Sequence, residues 1–165
     1  MATAAPTRPD CDLMFLLAQA GHALETEMTA ALQDLGISPR AHCVLTHALP
    51  GELTQSQVAE QCALDKTTMV VTMDELERAG LAERRPSSTD RRARIIAVTE
   101  AGERIVREAD AIVAGIYDEV LAELPSGQRA AFVAGLAQLA GGRLSTPAKC
   151  ERPVRRRAVR AVVDP

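Results

Sequence analysis

Residues 88–102 read STDRRARIIAVTEAG, and this stretch decides the fold. An aspartate, Asp90, is followed by Arg91, Arg92 and Arg94, then by the apolar run from Ile95 to Val98, then by Thr99. The segments GLAERR (80–85) and RIIAV (94–98) both suit short strands, and PSSTDRRA between them is rich in turn formers. Two short strands around a turn-rich loop predict a hairpin with an exposed, cationic tip. Thr99 then opens a helix, because its hydroxyl can cap the free amides of a first turn.

Working toward the N-terminus, a helix pair precedes the hairpin. Thr54 and Gln57 have the T-x-x-Q spacing of a capping box, which predicts a short helix with Val58 and Ala59 facing inward. The residues CAL make a tight turn, and Asp65 caps a second helix that runs to Arg78 and is stopped by Gly80. Before the pair, Ser38 and Pro39 form an N-cap and a proline first position for a helix that ends at Pro50-Gly51. From Asp10 to about Leu35, apolar residues recur at threes and fours, predicting a long amphipathic helix closed by Gly36. After Thr99 a helix to about Leu124 places Ile105, Ala109, Ile112, Ile116 and Val120 on one stripe. At ~1.5 Å per residue it approaches ~40 Å. Pro125-Ser126 breaks it, and a last helix spans about 127–140.

The 165 residues are 47% apolar but contain only Phe15, Phe132 and Tyr117 as aromatics, so the core must be aliphatic. Abundant Ala and Leu favour helix. Net charge is -3, yet it is unevenly spread. From Arg143 onward there are seven basic and two acidic residues, against 12 basic and 20 acidic before it. Seven of those 12 lie between Lys66 and Arg94, so an anionic body carries a cationic surface that can steer an anionic partner to one side. Long helices at both ends with apolar residues on several faces imply a surface that a monomer would expose, and a two-fold homodimer would cover it. No apolar run reaches the ~20 residues of a membrane span. The N-terminus lacks the basic-then-apolar order of a secretory signal, and the four cysteines form no CxxC pair, so reduced thiols and a cytoplasmic location are expected. GxSxG, HExxH and phosphate-cradling glycine loops are absent from the sequence, and no enzyme activity or cofactor is expected.

A helix pair followed by a basic hairpin makes a winged helix-turn-helix. The second helix of such a pair fits the ~12 Å major groove of double-stranded DNA. A cationic hairpin tip suits the narrow minor groove. The run LTQSQVAEQCALDKTTMVVTMDELERAGLAERRPSSTDRRARIIAVTEAG (53–102) resembles the MarR family of bacterial transcription regulators, most specifically in DRR, a β run and TEAG. The flanking helices agree in order and spacing from about residue 10 to 140. The resemblance implies a mostly α fold. In it, 36–109 form a winged helix-turn-helix and long helices at 10–35 and 110–142 form a dimerisation domain; outside the family core, 1–9 read as a disordered arm and 143–165 as a disordered basic tail. The resemblance also implies a homodimer that binds a pseudo-palindromic operator, usually as a repressor.

The same resemblance makes Asp90 the residue that orients Arg92 into the minor groove, which suits the fixed fork of a guanidinium beside an acid. Arg91, Arg94, Arg84 and Arg85 are expected beside phosphates or acids. Thr54, Gln55 and Gln57 stand at a helix N-terminus, where amides and dipole favour a phosphate as well as a cap. The second helix offers Lys66, Thr67, Thr68 and Thr72 as polar readers. It has valine at position 71, where the family often has arginine or another polar residue, so modest direct base readout is expected.

Family members often release DNA when a small anionic or phenolic ligand binds between the dimer helices and the DNA-binding lobe. His22, Arg40 and His42 are the expected polar contacts. His42, Cys43 and His47 are close in sequence, but helical spacing does not bring all three to one face, so no metal is expected. Two other functions fit the sequence. One is a thiol-based redox regulator using Cys11, although the expected tyrosines are missing. The other is a winged helix that binds protein and never touches DNA. The tail with its triple arginine can also add non-specific phosphate contacts.

Overall fold

The computed structural model describes residues 12–51, 53–87 and 93–146. The 1–9 arm, Cys11, the wing tip at Asp90, Arg91 and Arg92, and the tail beyond Thr146 therefore lie outside the described residues. The elements are α1 (Leu13–Ala31), a 3-10 turn (Gln33–Leu35), α2 (Pro39–Ala48), α3 (Gln55–Gln61), α4 (Lys66–Arg78), β1 (Ala82–Pro86), β2 (Arg94–Val98), α5 (Glu100–Ala122) and α6 (Ser126–Gly141). The chain divides into two compact units, one through Glu119 and one from Val120 onward. Among the described residues, no helix is long and apolar enough to cross a membrane.

Local chemistry sets nearly every boundary. Asp12 accepts from the Phe15 amide and starts α1. Gly36, at φ 68°, ends the 3-10 turn in the left-handed region that glycine tolerates. Ser38 accepts from the Ala41 amide at the head of α2. Thr54 and Gln57 form both halves of the capping box of α3, as their spacing predicts. Asp65 accepts from the amides of Thr67 and Thr68 at the head of α4. The turn between α3 and α4 is tight enough to hold Ala63 at φ 51°. The Leu64 amide there reaches back to the Ala59 carbonyl.

The first wing strand begins later than the sequence suggests. Gly80 and Leu81 belong to the end of α4: the Gly80 amide bonds to Glu77 O and the Leu81 amide to Leu76 O, a Schellman closure that buries Leu81 over Leu76. The strand therefore starts at Ala82 and extends through Pro86. β1 and β2 are antiparallel, with Arg84 opposite Ile96 and Pro86 opposite Arg94. Thr54 makes an isolated bridge to Ile95, which fastens the start of α3 to the wing.

The core of the first unit is aliphatic. It is built from Met28 and Leu32 of the α1 end, Val44 and Leu45 of α2, Val58 of α3, Met69, Met73 and Leu76 of α4, Ile96 of β2, and Val106, Ala109, Val113 and Ile116 of α5. The buried stripe of α5 is rotated from the expected one. Val106 and Val113 are fully inside, Ile105 and Ile112 are only partly buried, and Val120 is exposed. The 23 residues of α5 span ~34 Å, shorter than the sequence estimate. Leu13, Met14, Phe15 and Leu16 on α1 are exposed. In the second unit, α6 has no buried residue and exposes Phe132, Val133 and Leu139. There Arg129 donates to the carbonyls of Leu124 and Ala122 and so satisfies the open end of α5.

Thr99 joins three elements. Its hydroxyl donates to Gly80 O and accepts from the Gly102 amide, and its own amide bonds to Leu81 O. Gly102 lies directly against this junction: a Cβ there would stand 2.1 Å from Leu81 O and 2.7 Å from Val98 Cγ1. Gly102→Ala should therefore cost about 1–3 kcal/mol through overpacking. Chemical denaturation would show it as a lower midpoint; an unchanged midpoint would mean that the α4–wing junction yields freely.

Candidate nucleic-acid interface

Six of the predicted contact residues, Thr54, Gln55, Gln57, Lys66, Thr67 and Thr68, sit at the heads of two helices. Thr54 and Gln57 are occupied with each other, since Gln57 Oε1 accepts from the Thr54 amide at 2.8 Å and from its hydroxyl at 2.9 Å. Thr68 donates its hydroxyl to Asp65 Oδ2 at 2.6 Å. That bond, with those from the Thr68 and Thr67 amides, holds the Asp65 carboxyl below its ordinary pKa, so the cap of α4 stays charged into mild acid. Thr67 and Lys66 are exposed on the first turn of α4.

Thr72 is not a base reader. It is buried at 4% exposure on the stripe of Met69, Met73 and Leu76, and its hydroxyl bonds back to Thr68 O at 2.9 Å. The outward residues at this level are Val70 and Val71, both exposed. Val71 can meet a thymine methyl but carries no hydrogen bond.

Arg84 is likewise not available to a phosphate. Its side chain is only 21% exposed. Nε donates to Gln55 Oε1 at 2.9 Å, one terminal nitrogen donates to Glu77, and the other reaches Asp74 Oδ1 at 2.8 Å and Val70 O at 3.2 Å. Its backbone amide also donates to Glu77 Oε1 at 2.8 Å. One guanidinium thus links α3, α4 and β1, using a flat fork of five donors that lysine lacks. Gln55 is committed to this node. Arg85 is exposed but paired with Glu83 on its own strand.

Lys66 and Arg94 come together around a cleft of about 530 Å3. It is also lined by Thr54, Gln55 and Ser56 at the head of α3, and by Ala93 at the base of the wing. Glu60 also lines it, so two cations, one carboxylate and the first turn of α3 share a concave surface whose net positive charge suits an anion.

The expected effector residues do not converge. His42 is buried, and its Nε2 lies 2.7 Å from Asp110 Oδ1 of α5, so it ties α2 to α5. Arg40 pairs with Glu25 across α1 and α2 at 3.2 Å. His22 is exposed on α1. Arg40 borders an open depression of about 230 Å3 with Gly21, Leu24, Met28 and Cys43 and a second one with Thr67, Thr68 and Val71, whereas His22 borders a separate groove on α1.

A cluster that the sequence did not predict lies beside Arg40. Cys43 and His47, one turn apart on α2, meet Cys62 at the end of α3, with their ligand atoms all within 4.8 Å of one another. A hydrogen bond from the Cys62 thiol, opposed by burial and aided by His47 and His42, pulls the Cys43 thiol down to about 6. The same bond and burial push Cys62 up. The third member is 15 positions beyond His47. A local spacing rule could not find it.

Residues 35–93 match the model of the MarR family. Over that segment the chain is similar to the MarR family. Among solved structures it is similar to a MarR-family transcriptional regulator from Rhodococcus sp. RHA1, at 29% identity over 81% of this chain and 96% of that one, with a TM-score of 0.74. It is also similar to CouR from Rhodococcus jostii RHA1, solved with p-coumaroyl-CoA, at 29% identity over 85% and 96% with a TM-score of 0.69. MepR of S. aureus, solved in complex with DNA, shares the fold at 18% identity over 80% and 98% with a TM-score of 0.72. The chain thus has the MarR winged-helix regulator fold, and within it the Arg84 node fixes α3, α4 and the wing as one body.

Two outcomes follow from this geometry. Arg84→Ala leaves Asp74 and Glu77 facing each other without a cation and should cost about 1.5–3 kcal/mol. Arg85→Ala, at an exposed pair, should cost under about 1 kcal/mol. Equal midpoints in urea would show that the node carries no special weight. In reduced, metal-free protein, alkylation of Cys43 should switch on as pH rises through about 6, while Cys62 stays protonated and slow across the neutral range. Mass spectrometry of the two peptides against pH would show this, and a Cys43 midpoint near 9 would contradict it.

Proposed function

We propose that this protein is a ligand-responsive transcriptional repressor of the MarR family that binds a pseudo-palindromic operator in double-stranded DNA as a homodimer. The observation that carries the proposal is the cleft where Lys66 and Arg94 join the first turn of α3, with the exposed start of α4 beside it. In this assignment the head of α3, Lys66 and Arg94 hold phosphates and fix register, and Thr67 with Val71 gives modest readout in the major groove. Asp90, Arg91 and Arg92 at the wing tip follow the family pattern: Arg92 enters the minor groove with Asp90 beside it, and discrimination leans on DNA shape. Arg84 and Thr72 act indirectly, by holding the reading surface in place.

Exposed apolar residues on α1 and α6 support dimerisation, because two copies that share those surfaces remove them from water. The DNA complex of MepR and the p-coumaroyl-CoA complex of CouR support the two kinds of partner. Of the three expected effector contacts, only Arg40 borders an apolar depression next to α1, and it is the one retained for an anionic or phenolic ligand.

Fluorescence anisotropy on duplex from upstream of the gene, against scrambled duplex, tests this assignment. Tight, salt-dependent binding by a dimer is expected. Arg92→Ala should narrow the preference for operator over scrambled DNA by about 1–3 kcal/mol. Lys66→Ala should weaken both equally and lower the salt slope by about one. A monomer in sedimentation equilibrium, or no binding at low ionic strength, would overturn it.

A further inference from the structure

The Cys43, His47 and Cys62 cluster has no part in the proposed DNA contacts, and its chemistry is distinct. Two sulfurs and one imidazole nitrogen converge from two helices: positions 43 and 47 lie one turn apart on α2, and Cys62 is the C-cap of α3. All three residues are partly buried, so the site is sheltered but reachable.

The distances are near those a tetrahedral ion requires. A Zn2+ with sulfur at ~2.3 Å and nitrogen at ~2.0 Å sets its ligand atoms roughly 3.5–3.8 Å apart. Cys43 Sγ already lies 3.8 Å from His47 Nδ1, and the whole set falls within 4.8 Å. Closing the triangle therefore takes side-chain movements of about 1 Å or less, without backbone change. Soft thiolates with imidazole select Zn2+ over Mg2+ or Ca2+, which prefer oxygen.

We propose that Cys43, His47 and Cys62 form a three-ligand Zn2+ site with a fourth position open to water or to a small ligand. Binding takes the protons from both thiols. His47 binds as the neutral imidazole through Nδ1, so its single ring proton, which otherwise can be donated from Nδ1 to the Cys43 carbonyl 3.0 Å away, is carried on Nε2 instead with no net loss from the ring. The ion ties the middle of α2 to the last residue of α3, immediately before the strained turn at Ala63 that sets α4. Zinc occupancy would thus stiffen the joint on which the second helix of the pair pivots.

The test uses the full chain with Cys11→Ser and Cys150→Ser, so that only the cluster thiols remain. No DNA is present, so its failure is separate from failure of the repressor assignment. Reduced protein is titrated with Zn2+ against a chromophoric chelator, and with Co2+ while thiolate-to-cobalt charge transfer is recorded. One ion per chain and a charge-transfer band are expected. Cys62→Ser and His47→Gln should each weaken Zn2+ by more than about a hundredfold, beyond the roughly 10–100-fold range of outer-shell changes, with an unaltered circular dichroism spectrum. Should either variant misfold, the cobalt band of the parent decides alone. No stoichiometric Zn2+, no thiolate band, retention of Cu+ only, or unweakened binding in both folded variants would overturn the site. So would a Cys43–Cys62 disulfide on mild oxidation of a reduced form that takes no metal.

Discussion

The Arg84 guanidinium is the constraint on which the functional part of the molecule depends. It meets Gln55 on α3 and Asp74, Glu77 and Val70 O on α4 while its own backbone lies in β1. Each of those elements also buries apolar residues in the core, and the guanidinium adds a directional polar link between them. A planar cation in a half-buried slot, satisfied by two carboxylates and two neutral oxygens, sets three directions at once. Four of its five donors are thereby engaged within the protein.

Around that node, the backbone is closed by caps and tight approaches. The Schellman end of α4 passes the chain straight into β1, and Thr99 seals the far side by bonding to Gly80 and Gly102. Gly102 is required because α5 touches the Leu81 carbonyl there. Thr54 both caps α3 and bridges to Ile95, so the wing base and the head of α3 move together. The cleft that gathers Lys66, Arg94 and the first turn of α3 follows from these contacts.

A second joint lies on the other side of the helix pair. His42 reaches Asp110 on α5, and Cys43 and His47 reach Cys62 on α3. Adjacent residues of one helix therefore look toward two different neighbours. α2 is thereby placed between the long helix and the helix pair, where a change at its polar residues can be felt by both.

The element order, the helix starts at Ser38, Thr54, Asp65 and Thr99, and the stop at Gly36 are all written in the linear chain. Those features depend on hydrogen bonds between residues two to four positions apart, which a linear reading contains. Thr72 is expected as a polar reader, although it falls on the same 3.6-residue stripe as Met69, Met73 and Leu76 and is buried with them. It took the packed structure to show that Arg84 joins Gln55, Asp74 and Glu77, that His42 meets Asp110, and that Cys62 completes a cluster with Cys43 and His47. Partners for long polar side chains are chosen across packed interfaces, between residues 7 to 68 positions apart. Charge and spacing along the chain do not encode which of several acids or thiols will face them once the core has closed.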